Sequence, residues 1–323
     1  MGSLKSNLDL VNECDNFPYF DIPSAKGLPS ERYFKFKLEG RDEALGYVLP
    51  DIARKFPESK VFNRDDGSME LIFKPGDVPT DPKQAAVCRT KVLAAYLQDV
   101  RENNIFQVLT GWRNELYPVY GLNRELLFSM ERSASALFGI VTYGVHMTAY
   151  TQNSDSIKIW TPRRSPTKQT YPGMMDNTVA GGLSTGERPF GCLIRESMEE
   201  ASLPEAVVRS AKACGTMTYF HVRDERAGGE VGLCQPECQY VYDLVLPEDV
   251  VPKPGDNEAV DFQLLSISEA QEAMAAGRFK PNCALLLLEF FVRHGIVTPE
   301  NEPDYLELVS RLHRRLEFPM GQS

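Results

Sequence analysis

The residues best suited to chemistry crowd into one short stretch, where Gly181, Gly182, Glu187, Arg195, Glu196, Glu199 and Glu200 lie within 20 positions. Pro189 can open a helix here, because a first-turn position has no amide hydrogen bond to lose. On that helix Phe190, Leu193, Ile194 and Ala201 form an apolar stripe, and Glu196, Glu199 and Glu200 fall on another side. Carboxylates held this close repel one another, weakly on a wet helix and strongly where water is excluded. Such a cluster calls for a counter-charge. Mg²⁺, with Mn²⁺ as a substitute, suits it as a hard ion that binds substrate phosphates through a few carboxylates and keeps some of its waters. Arg195 precedes Glu199 by four residues and can hold a carboxylate by charge-assisted hydrogen bonds, while Gly181 and Gly182 let the backbone approach metal or phosphate. The expected chemistry is metal-assisted attack of water on a diphosphate. A merely solvated acidic helix is the bland alternative, and the order and spacing of the whole set disfavour it.

The elements that must position this helix read as a mixed α/β chain dividing near 133–136. Before that point, strands are expected at 33–38, 45–49 and 71–73, with a helix opened by Thr80-Asp81-Pro82 and running to about Glu102. Beyond it come β-rich runs at 138–151, 156–163, 177–180, 215–222, 239–246 and 260–267. Helices are expected at 189–201, at 268–276 with Ser268 first and Glu269 in the opening turn, and at 283–294, with an amphipathic closing helix over 303–316 carrying Leu306, Leu308, Leu312 and Leu316. This pattern implies a mixed sheet with helices on both faces.

Composition narrows the function classes. With 35 basic against 45 acidic residues, the net charge of -10 argues against a general nucleic-acid or anionic-membrane surface. The most apolar run, 284–292, is interrupted by Glu289 and is too short to span a bilayer. The amino terminus lacks a signal-peptide core, and an odd count of 7 cysteines fits reduced thiols, so a cytoplasmic protein is expected. Cys234 and Cys238, a close pair with no histidine beside it, read as free thiols at the start of a strand.

Gly181, Glu187, Arg195, Glu196, Glu199, Glu200 and Leu203 together resemble the Nudix box, Gly-x5-Glu-x7-Arg-Glu-U-x-Glu-Glu-x-Gly-U, in which U is aliphatic. Ser197 and Ser202 depart from it, at a packing position and at the turn after the helix. The runs LFGIVTYGVH at 137–146, IWTPRR at 159–164 and MMDNTVAGGL at 174–183, with WRNELY at 112–117 and Glu131-Arg132, further resemble the Nudix group associated with thiamine pyrophosphokinase, here without the kinase domain. The resemblance implies a Nudix fold, an α/β/α sandwich with a mixed sheet, over 134–300. It also implies a smaller α+β domain over 1–133, substrate-covering or regulatory, and a helical tail over 301–323.

The activity it implies is hydrolysis of thiamine diphosphate, and especially of oxidised or oxy- analogues, to the monophosphate and orthophosphate. Glu199 and Glu200 would be principal metal ligands, Glu196 a further ligand or the base, and the Gly181 carbonyl would lie near the metal, with Glu187, Gly182 and Arg195 in support. Glu258 is a possible outer ligand or base; Arg163, Arg164 and Lys168 are possible phosphate contacts. Trp160, Tyr219, Phe220, Tyr240 and Tyr242 offer aromatic faces for the organic half, and strand alternation sends about half of such residues into the core. The partner expected is therefore a small-molecule diphosphate. ADP-ribose or NADH is the rival substrate class, and a non-catalytic Nudix-fold ligand binder the rival outside enzymes. Isopentenyl-diphosphate isomerase shares the 163–178 pattern, but Val179 and Ala180 stand where it needs a cysteine.

Overall fold

The computed structural model describes residues 4–19, 32–153 and 156–321. The chain opens with α1 (Asn7–Cys14), fixed by a reciprocal capping box between Ser6 and Asp9. There follow β1 (Phe34–Leu38), β2 (Gly46–Val48), α2 (Pro50–Lys55), β3 (Phe62–Asp65), β4 (Glu70–Phe73) and α3 (Pro82–Glu102). A hairpin of β5 (Leu116–Tyr120) and β6 (Leu126–Glu131) leads through α4 (Ser135–Phe138) into the second half. That half comprises β7 (Thr142–Gln152), β8 (Ile157–Arg164), β9 (Val179–Gly182), α5 (Pro189–Ala201) and α6 (Glu205–Val208). It continues with β10 (Lys212–Val222), β11 (Cys234–Val245), β12 (Ala259–Ser266), α7 (Ile267–Ala275), α8 (Pro281–Arg293) and α9 (Tyr305–Arg311).

The first half is a 4-stranded sheet in the order β2-β1-β4-β3, with β1 and β4 parallel. Phe34, Phe36 and Leu38 alternate inward along β1 and share a core with Leu93 and Leu97 of α3, Phe128 of β6 and Phe138 of α4. The second half is a 6-stranded mixed sheet ordered β10-β11-β7-β8-β12, with β9 against β7. Alternation along β7 feeds two cores. Val145, Met147 and Ala149 join Cys192, Leu193 and Ala201 of α5 on one face, and Tyr150 joins the leucines of α8 on the other. The expected mixed sheet with helices on both faces is present, preceded by the smaller α+β unit.

Several boundaries differ from the sequence expectation, each for a local reason. The run expected as one strand over 138–151 is broken by α4, which ends at Gly139 in a left-handed turn (φ 60°); a Cβ there would collide with the Tyr47 carbonyl. α7 is capped by Ser266, whose Oγ accepts from the Glu269 amide, rather than beginning at Ser268. The closing helix is only α9, because beyond Arg311 the chain straightens to lie beside β10, where Thr218 Oγ1 donates to the Arg314 carbonyl (2.6 Å). Leu308, Leu312 and Leu316 are buried as expected, whereas Leu306 is 85% exposed. Glu289 of α8 is buried and pairs with Arg293, four residues on. Among the described residues, no helix is long and apolar enough to cross a membrane.

Candidate active site

β9 and α5 are held together by two glycines. Gly181 pairs with Val145 and Gly182 with Gly144 at the edge of β7. A Cβ on Gly181 would overlap the Glu196 side chain, and one on Gly182 would overlap the Tyr117 hydroxyl, so both positions require glycine for close approach. Pro189 opens α5 as expected, and Cys192, Leu193, Ser197 and Ala201 form its buried face. Phe190 and Ile194, expected in that stripe, are only half-buried, while Cys192, not expected there, is fully buried. Ser197 carries a buried hydroxyl with no hydrogen-bond partner among the described residues. Ser202 terminates the helix in the left-handed region at φ 51°, the conformation a glycine would adopt freely.

Arg195 organises the carboxylates. Its Nε and Nη2 donate to the two Glu187 oxygens (2.9 and 3.1 Å), and Nη1 reaches Glu199 Oε2 at 3.1 Å and Glu196 Oε1 at 2.9 Å. Those bonds to Glu187, ahead of the opposing effect of burial, hold the guanidinium protonated. Glu196 is in the opposite situation: burial first, and repulsion from Glu199 in addition, raise its carboxyl from 4.5 to about 7 despite the pull of Arg195. Glu200 is buried more deeply still. Burial and the neighbouring Glu196 raise it well above the ordinary range, against one amide donor, Ala180 N–H at 3.1 Å.

Two half-buried carboxylates four residues apart on one helix face, in surroundings that disfavour their charge, form a hard-oxygen donor set that fits a divalent cation. Among the described residues no three His, Cys, Asp or Glu side chains are gathered into a ready-made cage. The physical reason is mutual repulsion: Glu196 and Glu199 turn to Arg195, while Glu200 turns to the β9 backbone.

Beside this set lies a cavity of about 460 Å³, bounded by Gly181 and Gly182, by Tyr117 and Arg132 of the first half, and by Tyr219, Glu237 and Gln239 of β10 and β11. Its size falls within the usual range for small-molecule sites, about 300–1,000 Å³. Glu237 accepts from the Tyr219 hydroxyl and from Gln239 Nε2 (2.7 Å), and no Lys or Arg among the described residues forms an ion pair with it. A second, smaller cavity brings Glu258 to Glu200, along with Lys168, Arg164 and Asp176.

The remaining residues singled out from sequence are distributed as follows. Lys168 pairs with Glu258, and Arg164 is buried against Asp176 (2.5 Å) and the Thr170 carbonyl (2.8 Å). Arg163 lies outside both cavities, on Asp261 at 3.1 Å. Of the five aromatics, Tyr219 lines the large cavity, whereas Trp160, Phe220, Tyr240 and Tyr242 pack into the core on the α5 side of the sheet. Tyr117 and Arg132 lie in the runs at 112–117 and 131–132 but have no role assigned there, and Glu237 and Gln239 carry no motif of their own. The alternation that opposes Tyr219 to Glu237 across β10 and β11 was the available signal for the last two, once a register is known.

A family model described as a NUDIX domain matches residues 142–284, and one described as a domain of unknown function, DUF4743, matches residues 7–142. The chain is 36% identical to the uncharacterized protein YJR142W of Saccharomyces cerevisiae, over 97% of this chain and 92% of that one. It is 38% identical to Nudix hydrolase 20, chloroplastic, of Arabidopsis thaliana, over 70% of this chain and 58% of that one. Nudix hydrolase 24, chloroplastic, of the same plant is 34% identical over 69% and 59% respectively, so the chain spans less than two thirds of either plant protein. Among solved structures, the Deinococcus radiodurans protein DR0079 aligns with 62% of this chain and all of its own length, at 22% identity and a TM-score of 0.39.

Proposed function

Residues 142–284 form a Nudix domain, and from that premise we propose that the chain is a metal-dependent diphosphohydrolase. Its substrate is thiamine diphosphate and above all the oxidised or oxy- analogues, and its products are the monophosphate and orthophosphate. The oxygen of water bonds to the terminal phosphorus, the bond from that phosphorus to the bridging oxygen breaks, and the bridging oxygen stays with the monophosphate. Glu196, Glu199, Glu200 and the Gly181 carbonyl would hold Mg²⁺, or Mn²⁺ in its place, whose chemistry is to neutralise the diphosphate oxygens. Where Glu196 is not a ligand, it would be the base that accepts the proton of the attacking water. Glu258, next to Glu200 across the small cavity, is the alternative base. Arg195 keeps the carboxylates in register.

The observation that carries the substrate half is Glu237. Its carboxylate lines the large cavity beside the Tyr219 ring and forms no ion pair among the described residues, Arg223 on the same wall acting on it only through space. A thiazolium ring brings both the positive charge and the aromatic face that such a wall favours. ADP-ribose and NADH bring no fixed cation to that end. The first-half domain, 1–133 on the sequence division, contributes Tyr117 and Arg132 to the cavity wall and would serve to cover substrate. The odd count of 7 cysteines is the basis for proposing a cytoplasmic location.

The test is to offer thiamine diphosphate, oxythiamine diphosphate, ADP-ribose, NADH and isopentenyl diphosphate with Mg²⁺ and then Mn²⁺, and to separate the products chromatographically. Thiamine or oxythiamine monophosphate plus orthophosphate is the expected result. AMP from ADP-ribose or NADH, with the thiamine compounds intact, would keep the family chemistry and overturn the substrate.

A further inference from the structure

We propose that Arg132, carried by the domain that precedes the Nudix domain, contacts the substrate and binds the phosphates of the diphosphate. The proposal rests on the reading that the large cavity accepts a diphosphate, and not on the identity of the organic half.

The cations close to the carboxylate helix are largely engaged. Arg195 is shared among Glu187, Glu196 and Glu199. Arg164 is bound to Asp176, and Lys168 to Glu258. Elsewhere on the cavity wall, Arg223 Nη2 donates to the carbonyls of Ala227 and Gly228, and Lys280 lies towards Asp176. Arg113, on the same wall, is exposed and lies within electrostatic reach of Glu258, whereas Arg132 stands beside the glycine pair. Among the described residues it has a single ion-pair partner, Glu115, through Nη1 at 2.8 Å, and its side chain is 37% exposed on the wall that also contains Gly181 and Gly182. A guanidinium has five N–H donors, so one carboxylate contact leaves donors for a second anion, in the planar geometry that suits phosphate.

The sequence around the glycine pair makes this approach possible. The Arg132 guanidinium carbon lies 3.3 Å from where a Cβ on Gly182 would be, so any side chain there would push it away from the site. Arg132 and Glu196 also sense each other electrostatically, as the buried carboxylate favours the charged guanidinium and the guanidinium opposes the rise of the carboxyl. The arginine is held in place by its hairpin. Ser184 Oγ donates to Glu115 Oε1 (3.0 Å), the Thr185 amide donates to the Leu116 carbonyl (2.8 Å), and Thr185 Oγ1 donates to Ser129 Oγ (2.8 Å). The loop that delivers the carboxylate helix is thereby stitched to the strands that deliver Arg132.

Inorganic pyrophosphate with Ca²⁺, titrated calorimetrically into the full-length chain, tests the proposal without assuming a substrate. Arg132→Ala should weaken binding by about 10- to 100-fold, the effect of removing hydrogen bonds to a charged group. Arg132→Lys, which keeps the charge and loses the fork, should fall between Arg132→Ala and wild type. Glu115→Gln separates binding from scaffolding: it removes the partner and keeps the arginine, and should leave pyrophosphate affinity within about threefold of wild type. Wild-type affinity in Arg132→Ala would overturn the proposal, as would an equal loss in Glu115→Gln or no pyrophosphate binding by the wild type. Should Arg132→Ala fail to fold, unchanged affinity in Arg132→Lys would overturn it as well. A protein that binds pyrophosphate through Arg132 yet leaves thiamine diphosphates intact would sink the substrate reading alone.

Discussion

Glu199 and Glu200 are adjacent in sequence and differently surrounded. The Glu199 side chain is 56% exposed and reaches Arg195, whereas Glu200 is half-buried against the β9 backbone. Replacement of either by Gln should lower turnover at least about a hundredfold, because charge that binds a metal and stabilises a transition state is lost in both cases. Near wild-type rates in either variant, with the fold verified by circular dichroism, would mean that the metal ligands lie elsewhere. Their neighbour Glu196 gives a stability test. Its carboxyl is raised from 4.5 to about 7 by burial, so the folded chain binds this proton more tightly than the unfolded one. The stabilisation is therefore full below about 4.5 and is lost as pH rises through 7, by at most roughly 3 kcal/mol and by less once solvent screening is allowed for. Metal-free wild type should accordingly lose more stability between pH 5 and pH 8 than Glu196→Gln, and Mg²⁺ should narrow the gap by binding the folded form. Parallel urea midpoints for the two proteins across that range would refute the assignment. The box residues were legible because a single helix imposes their spacing. Glu237 and Gln239 were not, and Tyr117 and Arg132 stood in the runs at 112–117 and 131–132 without a role, because the four meet only through strand register and contact between the two halves.

At the scale of elements, local signals worked where they were strong. α3 begins at Pro82 behind Asp81, whose carboxylate accepts from the Gln84 amide at 2.8 Å, as a proline-and-cap reading expects. β3 escaped notice because Phe62 is the only buried residue in Phe62–Asp65, and α1 because its 8 residues are too few to show a helical period. Such elements are selected by what they pack against. The box helix departs from the Nudix pattern at Ser202, and the structure shows the consequence: a non-glycine residue at φ 51°. Ser202→Gly should raise stability by about 0.5–1 kcal/mol, the left-handed strain relieved being partly offset by the freer unfolded chain. A urea midpoint that falls instead would show that the Ser202 side chain makes a compensating contact, for which the Gly255 loop beside it is the candidate.

Across the whole molecule, the sequence division at 133/134 falls short of residue 142, where the two family models meet, and it does not separate two independent cores. Leu10, Val11 and Cys14 of α1 are buried among the residues of α8, at the opposite end of the sequence. Asp15, fully buried, accepts from Arg311 and Arg314, and Arg314 stacks 4.0 Å over the Tyr19 ring. The second sheet thus uses the first residues of the chain to cover one face, and the β5-β6 hairpin to brace the loop into its carboxylate helix. A fragment beginning at residue 134 would expose the α8 face and leave Arg314 without its buried partner, and an unpaired buried charge costs several kcal/mol. That fragment should therefore be largely unfolded or aggregated in calorimetry, while Leu10→Ala in the full chain should cost about 2–4 kcal/mol. A fragment that melted cooperatively at the temperature of the intact protein would instead make the first half an attachment, and the contacts of α1 incidental. The dependence also bears on activity: if carboxylates, hairpin and α1 form one cooperative unit, Leu10→Ala should lower the melting temperature while leaving the rate per folded molecule unchanged, because Leu10, unlike Cys14 of the same helix, does not line the cavity and acts through the core it shares with α8.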